Sequence, residues 1–337
     1  VIRIGIIGCG SVTQQYHLPA IAVCPAFRIA ALADTNAELL SRVCAAWSVA
    51  AAATDYRDVR DVDAVLIATP HALHAPMCEH FLDRGVHVLV EKPMVIRSAD
   101  AERLVALADE RRAVFAVGVF RRYYPISTFM RDALRGGRMA GLGALRAIDA
   151  EEGAVYDWQL QSRFLLSREL AGGGVLIDTG SHLLDRLLWW LPEFDARIRA
   201  YRDDSAHGVE ADCELLLDLA RGDQVVSCAV RMSRIRELRN TIRLTFDDGV
   251  VEIGANAPDG LALRINGWPD EQRLRAADCA AAAPTDFFIR QMQDFARAIE
   301  SGLHTANDAA SNVHVVRLIE EAYARREPLA HDWEVFR

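Results

Sequence analysis

The chain has 337 residues, 51% of them hydrophobic and 25% charged, with a formal net charge of −9. That length predicts two domains, each able to bury its own core. The acidic balance argues against nucleic acid or an anionic membrane surface as partner, because phosphate binding needs a concentrated positive surface. The seven cysteines are scattered with no CxxC, the pattern of free thiols in a reducing cytosol, not of a disulfide framework or a zinc site. No signal-peptide pattern and no run of about 18 apolar residues is visible, so a cytoplasmic location is expected.

The first third alternates short β-branched runs (2–7, 28–33, 64–68, 87–90 and 113–117) with helical stretches near 12–23, 36–47, 72–84 and 98–111. Continuous apolar strands separated by helices predict a parallel sheet covered on both faces, the doubly wound α/β architecture. The first strand runs into Gly8-Cys9-Gly10-Ser11-Val12-Thr13. Glycines between an apolar strand and a helix allow a tight turn whose backbone can hold a pyrophosphate. Thr13 stands where a third glycine would complete GxGxxG, so the loop carries weight through its context. The second strand ends at Asp34, 24 residues past Gly10. That is close to the spacing of about 20 for an acid that holds the adenosine ribose. A carboxylate there would repel a 2′-phosphate and no arginine follows at once, which favours NAD over NADP.

The third strand ends in ATPHALH and the fourth in VEKPM, both at the carboxyl edge where open α/β sheets bind ligands. Lys92 lies in the second of these, and it is the only lysine in the chain. The other 37 of the 38 basic Lys+Arg residues are arginine. Guanidinium stays charged, whereas an ammonium is a compact donor whose pKa moves readily, so a lone surviving lysine in a cofactor crevice points to chemistry.

Near residue 120 the pattern changes, which sets expected domains of 1–122 for the dinucleotide and 123–337 for the substrate. A strand is expected near 143–152 and a long helix through about 173–191. Alternating runs between 195 and 266 then predict an antiparallel or mixed sheet. Helices at about 285–301 and 308–326 finish the chain. In the long helix Asp178 and His182 stand four residues apart on one face, with Asp185 one turn later, while Ile177, Leu183, Leu184 and Leu187 are the packing residues. Two ligands without a third make a poor metal site, and the same holds for His71 and His74, so no metal is expected. Trp189 and Trp190 read as core. Glu151, Tyr156, Trp158 and Arg163 either line a polyol pocket or pack an ordinary loop.

The ordered set GxGxxx, TPxxxH, EKP, VGxxRRYxP and GGxxxDxGxHxxD resembles the Gfo/Idh/MocA family of nicotinamide-dependent sugar and cyclitol oxidoreductases. The resemblance implies a Rossmann domain followed by a C-terminal α/β domain with an open, mainly antiparallel sheet. It further implies a homodimer or homotetramer formed through that sheet. Residue by residue, it implies that Lys92 bonds the reacting hydroxyl, that His182 is the acid/base, and that Asp178 binds or orients substrate. Gly8, Gly10, Ser11, Val12, Asp34, Thr69, Pro70, His74 and Glu91 would surround the cofactor. Arg121 would line the substrate side, with Tyr156, Trp158 and Arg163 as further candidates. His71 departs from the asparagine commoner after TP. The expected reaction interconverts a secondary alcohol and a ketone on a sugar, cyclitol or nucleotide-linked sugar. The alternatives are an NADPH-dependent keto-sugar reductase and a non-catalytic NAD-binding regulator of the same fold.

Overall fold

The computed structural model describes residues 1–155, 163–205, 208–275 and 283–329. Its first sheet is built from β1 (Ile2–Ile7), β2 (Phe27–Ala33), β3 (Ala52–Ala53), β4 (Ala64–Ile67), β5 (His87–Val90) and β6 (Phe115–Val117). Between them run α1 (Leu18–Ala22), α2 (Ala37–Trp47), α3 (His74–Leu82) and α4 (Ser98–Arg111). All strand pairs are parallel, in the order β3-β2-β1-β4-β5-β6. Successive side chains of a strand point to opposite faces, so a sheet covered twice needs apolar residues at every position. β4 meets that demand: Val65 and Ile67 join one core, Ala64 and Leu66 the other. Strand order reverses between β1 and β4, and there the carboxyl ends open a crevice.

The second half consists of α5 (Pro125–Arg135), β7 (Leu145–Gly153), α6 (Arg168–Ala171), α7 (Ser181–Trp190), β8 (Asp195–Asp203), β9 (Asp212–Arg221) and β10 (Gln224–Ser233). It continues through β11 (Thr241–Phe246), β12 (Gly249–Gly254), β13 (Gly260–Ile265), β14 (Gln272–Arg275), α8 (Pro284–Ser301), α9 (Val313–Ala324) and β15 (Arg326–Pro328). Nine strands form one mixed sheet, β14-β13-β12-β11-β7-β10-β9-β8-β15, in which only β7–β10 and β8–β15 pair in parallel. Its inner face packs on α5, α7 and α9 through residues such as Met130, Leu184, Leu187, Leu318 and Ile319. Trp189 and Trp190 belong to that core as expected.

The last two helices return to the first sheet. Phe288, Met292 and Phe295 of α8 complete one of its faces. α9 serves both halves, with Val313 and Val316 against the first sheet and Val315, Leu318 and Ile319 against the second. Beside it lies a buried polar bolt. The Arg122 guanidinium forms a fork with Asp185 (2.8 Å from Nε, 2.5 Å from Nη2) and also donates to Ser311 and the Ala306 carbonyl. Asn312 donates to the same carboxylate at 2.9 Å. Asp185 therefore ties the segment after β6 and the entry to α9 onto α7.

The helix expected over 173–191 forms over 175–190, but its first turns are wound as a π-helix that runs directly into α7. α6 ends at Ala171, Gly172 turns at φ +83, and the chain takes a π-helical turn over Leu176–Gly180 before α7 starts at Ser181. Close packing demands the glycines here: a Cβ on Gly173 would overlap the Tyr323 hydroxyl, and one on Gly174 the Glu210 backbone.

Replacing Asp185 with alanine leaves the Arg122 charge buried and unpaired. Denaturant unfolding should reveal a loss of about 3–5 kcal/mol. A loss below about 1 kcal/mol, the range of exposed pairs, would contradict a buried bolt.

Candidate active site

Gly8 follows β1 at φ +98, and a Cβ there would overlap the Ala68 carbonyl after β4, so only glycine lets the two strand ends lie side by side. A Cβ on Gly10 would meet no protein atom within 4 Å, so the loop's crest faces open space. Ser11 and Val12 begin a helical run that widens to a π-turn over Thr13–His17 and continues into α1. Thr13 is buried and its hydroxyl donates to the Gly8 carbonyl at 2.7 Å. The residue that breaks the glycine pattern thus holds the loop closed from within. At the tip of β2, Asp34 accepts the amides of Cys9 and Asn36, each at 2.8 Å. A positive-φ glycine, an open crest and an acid beside it fit a dinucleotide pyrophosphate and ribose.

Two buried histidines brace the neighbouring strand ends. The His74 ring sits between the Thr69 and Pro93 carbonyls, 2.9 Å from each. It links the turns after β4 and β5, and its side chain is fully buried beneath them. His17, on the π-turn, reaches Glu91 at 2.6 Å, and the other Glu91 oxygen accepts the Lys92 amide at 3.0 Å. A Cβ on Gly118 would lie 2.8 Å from that carboxylate. Glu91 is therefore spent on holding the Lys92 turn. Thr69 and Pro70 form the rim, with the Thr69 hydroxyl against the Met77 sulfur at 3.4 Å. His71 presents Nδ1 to the Ala171 carbonyl at 2.8 Å. A carbonyl only accepts, so Nδ1 carries the proton and Nε2 keeps its lone pair.

Lys92 crosses from β5 to the second half of the molecule. Its Nζ donates to Asp178 Oδ1 at 2.6 Å and to the Asp178 carbonyl at 3.2 Å. Arg234, just past β10, stands 3.7 Å from Oδ2. Burial works against the Asp178 carboxylate, yet Lys92 and Arg234 hold its pKa below the usual range. His182 is one helical turn on, buried, edge-on to Phe120 at 5.3 Å. Burial, then the charges of Arg121, Lys92 and Arg186, push its pKa well below 6.5, so the imidazole is neutral. Arg121 forms a buried fork with Glu152 at 2.7 and 2.8 Å, and Asn256 donates to the same carboxylate at 3.0 Å. Arg186 is fully buried, donates to the Ala255 carbonyl at 2.5 Å, and packs over the Trp190 ring. Burial and Arg121 bring its pKa down to about 10.

The structure thus brings Lys92, Asp178, His182 and Arg121 together, and sets the glycine loop, Asp34 and Thr69 along the same carboxyl edge. Arg163 is exposed at the start of a short 3₁₀ turn. Tyr156 and Trp158 lie outside the described residues. Glu151 belongs to the opposite face of the sheet, paired with Arg231 and Arg239 at 3.0 and 2.8 Å. β7 alternates, so the inward carboxylate is its neighbour Glu152. Sequence reading missed Glu152, Arg234 and His17, because each reaches the site across a long stretch of chain. The adjacent EE pair on a strand was the only local signal for the first.

Fold and cleft define a class: a doubly wound dinucleotide-binding lobe joined to a mixed-sheet lobe, meeting at a buried lysine–aspartate pair. Residues 2–119 match the model of an oxidoreductase family with an NAD-binding Rossmann fold, and residues 130–252 match the GFO/IDH/MocA C-terminal domain. The chain belongs to the Gfo/Idh/MocA oxidoreductase family. It is 35% identical to the dTDP-3,4-didehydro-2,6-dideoxy-alpha-D-glucose 3-reductase of Streptomyces violaceoruber, over 64% of this chain and 62% of that one. That match spans less than two thirds of the reductase. Against the rhizopine catabolism protein MocA of Rhizobium meliloti it is 25% identical, over 96% of this chain and 95% of that one. The same fold recurs in KijD10, a 3-ketoreductase from Actinomadura kijaniata solved with NADP and TDP-benzene. There the TM-score is 0.82 at 21% identity, covering 97% of this chain and 98% of that one. Levoglucosan dehydrogenase, solved with NADH and levoglucosan, gives 0.81 at 18% identity, covering 96% and 97%. No described helix is long and apolar enough to cross a membrane.

His71 and His182 both have pKa values lowered chiefly by burial, His71 to about 3 and His182 well below 6.5. Unfolding releases imidazoles that protonate near pH 6.5, while the folded protein refuses those protons until far lower pH. The unfolded state therefore binds more protons below about pH 6.5, and stability must fall with pH there, by up to about 1.4 kcal/mol per pH unit for each imidazole. Thermal unfolding between pH 8 and 5 should show a steep drop in Tm below pH 6.5. A flat profile would contradict neutral buried rings.

Proposed function

We propose that this protein is an NAD-dependent oxidoreductase that interconverts a secondary alcohol and a ketone on a sugar, cyclitol or nucleotide-linked sugar. The observation that carries the reading is the Lys92–Asp178 pair at the carboxyl edge of the dinucleotide lobe, one turn from a neutral imidazole. A bound nicotinamide supplies the two-electron acceptor for the hydride leaving the alcohol carbon. His182, neutral at working pH, takes the hydroxyl proton as the carbonyl forms. The Lys92 ammonium, held by Asp178, stabilises the charge developing on that oxygen. In the reverse direction the same groups return the proton to the ketone oxygen. Burial, then the charges of Arg121, Lys92 and Arg186, keep His182 uncharged, and Glu152 keeps Arg121 in place.

Asp34 supports NAD, since its carboxylate at the tip of β2 would repel a 2′-phosphate. A second reading follows from the 35% identity to a reductase of a nucleotide-linked keto-sugar: the physiological direction would be reduction, with the nucleotide diphosphate as a handle.

The test is absorbance at 340 nm with NAD and NADP against cyclitols, hexoses and nucleotide sugars, together with Lys92→Arg. The planar guanidinium fork cannot replace a point donor in a pocket built around one. Lys92→Arg should retain cofactor affinity while turnover drops by at least about 10²-fold. Near-normal turnover would remove Lys92 from the chemistry.

A further inference from the structure

We infer that Glu210 is a positioning residue: its buried carboxylate, tied to Tyr323 of α9, sets the register of the turn that carries Asp178, and through it the Lys92 ammonium. The inference rests on the reading that Lys92 and Asp178 act together on substrate.

Glu210 precedes β9 and is 0% exposed. Its Oε2 accepts the Gly174 amide at 2.8 Å, and its Oε1 accepts the Leu176 amide at 3.0 Å and the Tyr323 hydroxyl at 2.7 Å. Its own backbone carbonyl accepts the Val175 amide at 3.0 Å. Three successive amides at the entry to the π-turn thus end on one residue. These amides have no acceptor within the turn, and leaving them buried and unpaired would be costly. Burial raises the Glu210 pKa, and Tyr323 and the backbone donors oppose that shift.

From this anchor the path to Lys92 is short. The Asp178 amide donates to the Gly174 carbonyl at 3.1 Å, so the clamp fixes where Asp178 enters the turn. Lys92 Nζ bonds both the Asp178 carboxylate and the Asp178 carbonyl, so it reads backbone position as well as side chain. The glycines complete the device: any Cβ at 173 or 174 would drive Tyr323 or Glu210 away. A turn shifted by one hydrogen bond would carry Asp178 off the ammonium, and misplacement of about 1 Å in such a site can cost about 10²-fold in rate.

The single lysine makes a direct test available. Acetylation of Lys92 by acetic anhydride, followed by mass spectrometry of its own peptide, reports how tightly the ammonium is held without requiring a substrate. Glu210→Gln, Tyr323→Phe and Asp178→Asn would be compared with the unaltered protein, together with Tm, cofactor Kd, kcat and KM. Asp178→Asn sets the rate for a released lysine. In Glu210→Gln we expect Lys92 acetylation to rise towards that rate and kcat to fall roughly tenfold or more. Cofactor Kd should stay within about twofold, because the glycine loop is untouched. Tyr323→Phe should move both readouts the same way by less, and it decides the matter if Glu210→Gln does not fold. Folded variants with unchanged acetylation and kcat would overturn the inference. So would a lower Tm and weaker cofactor binding without faster acetylation, the mark of a merely structural role. Faster acetylation in a protein that turns over no sugar would leave the positioning intact and defeat the proposed function instead.

Discussion

A buried ion pair at the cleft links the two halves of this molecule where the site lies. Lys92 leaves the end of β5, Asp178 sits in the turn before α7, and 2.6 Å separates ammonium from carboxylate. Both are largely buried, and burial on its own disfavours either charge. The pair persists because each partner has further bonds: Asp178 also faces Arg234, and Lys92 also donates to a backbone carbonyl. Around it, one part of the buried polar network either fixes one partner or tunes the imidazole beside them. His17 and Glu91 hold the lysine's turn, while Glu210 and Tyr323 hold the aspartate's.

Burial, before any neighbouring charge, keeps the imidazole neutral. Arg121, Lys92 and Arg186 all act on His182 in the same direction and add to it. A base that must accept a proton from an alcohol benefits from being uncharged at the start. The same cations would resist its becoming charged, so the proton must be passed on or the local field relieved as the ketone forms. In the proposed reaction the Lys92 ammonium would donate a hydrogen bond to the substrate oxygen as negative charge develops there, which would couple the two events.

Much of this was legible in the chain and the remainder could not have been. The parallel sheet followed from β4, whose every residue is apolar, and from β5, apolar after His87, and the glycine loop from its place between strand and helix. Lys92 stood out because arginine had replaced every other lysine. Asp178 and His182 were visible through their four-residue spacing, although the intervening π-turn was not, since it is imposed by Glu210 and Tyr323 from distant parts of the chain. Glu151 and Glu152 could not be told apart until the register of β7 against β10 and β11 fixed which one points inward. His74 and Glu91 were read as cofactor neighbours, and their side chains turn out to be occupied inside the protein, beneath the residues that border the cleft.

The central claim is that Lys92 and Asp178 act as one unit. A double-mutant cycle on turnover with Lys92→Met, Asp178→Asn and the double variant measures this directly. Residues that act together give losses that do not add, so the double variant should be no slower than the worse single one. Losses that multiply would mean that the two residues contribute independently and that the bond between them is incidental to the reaction.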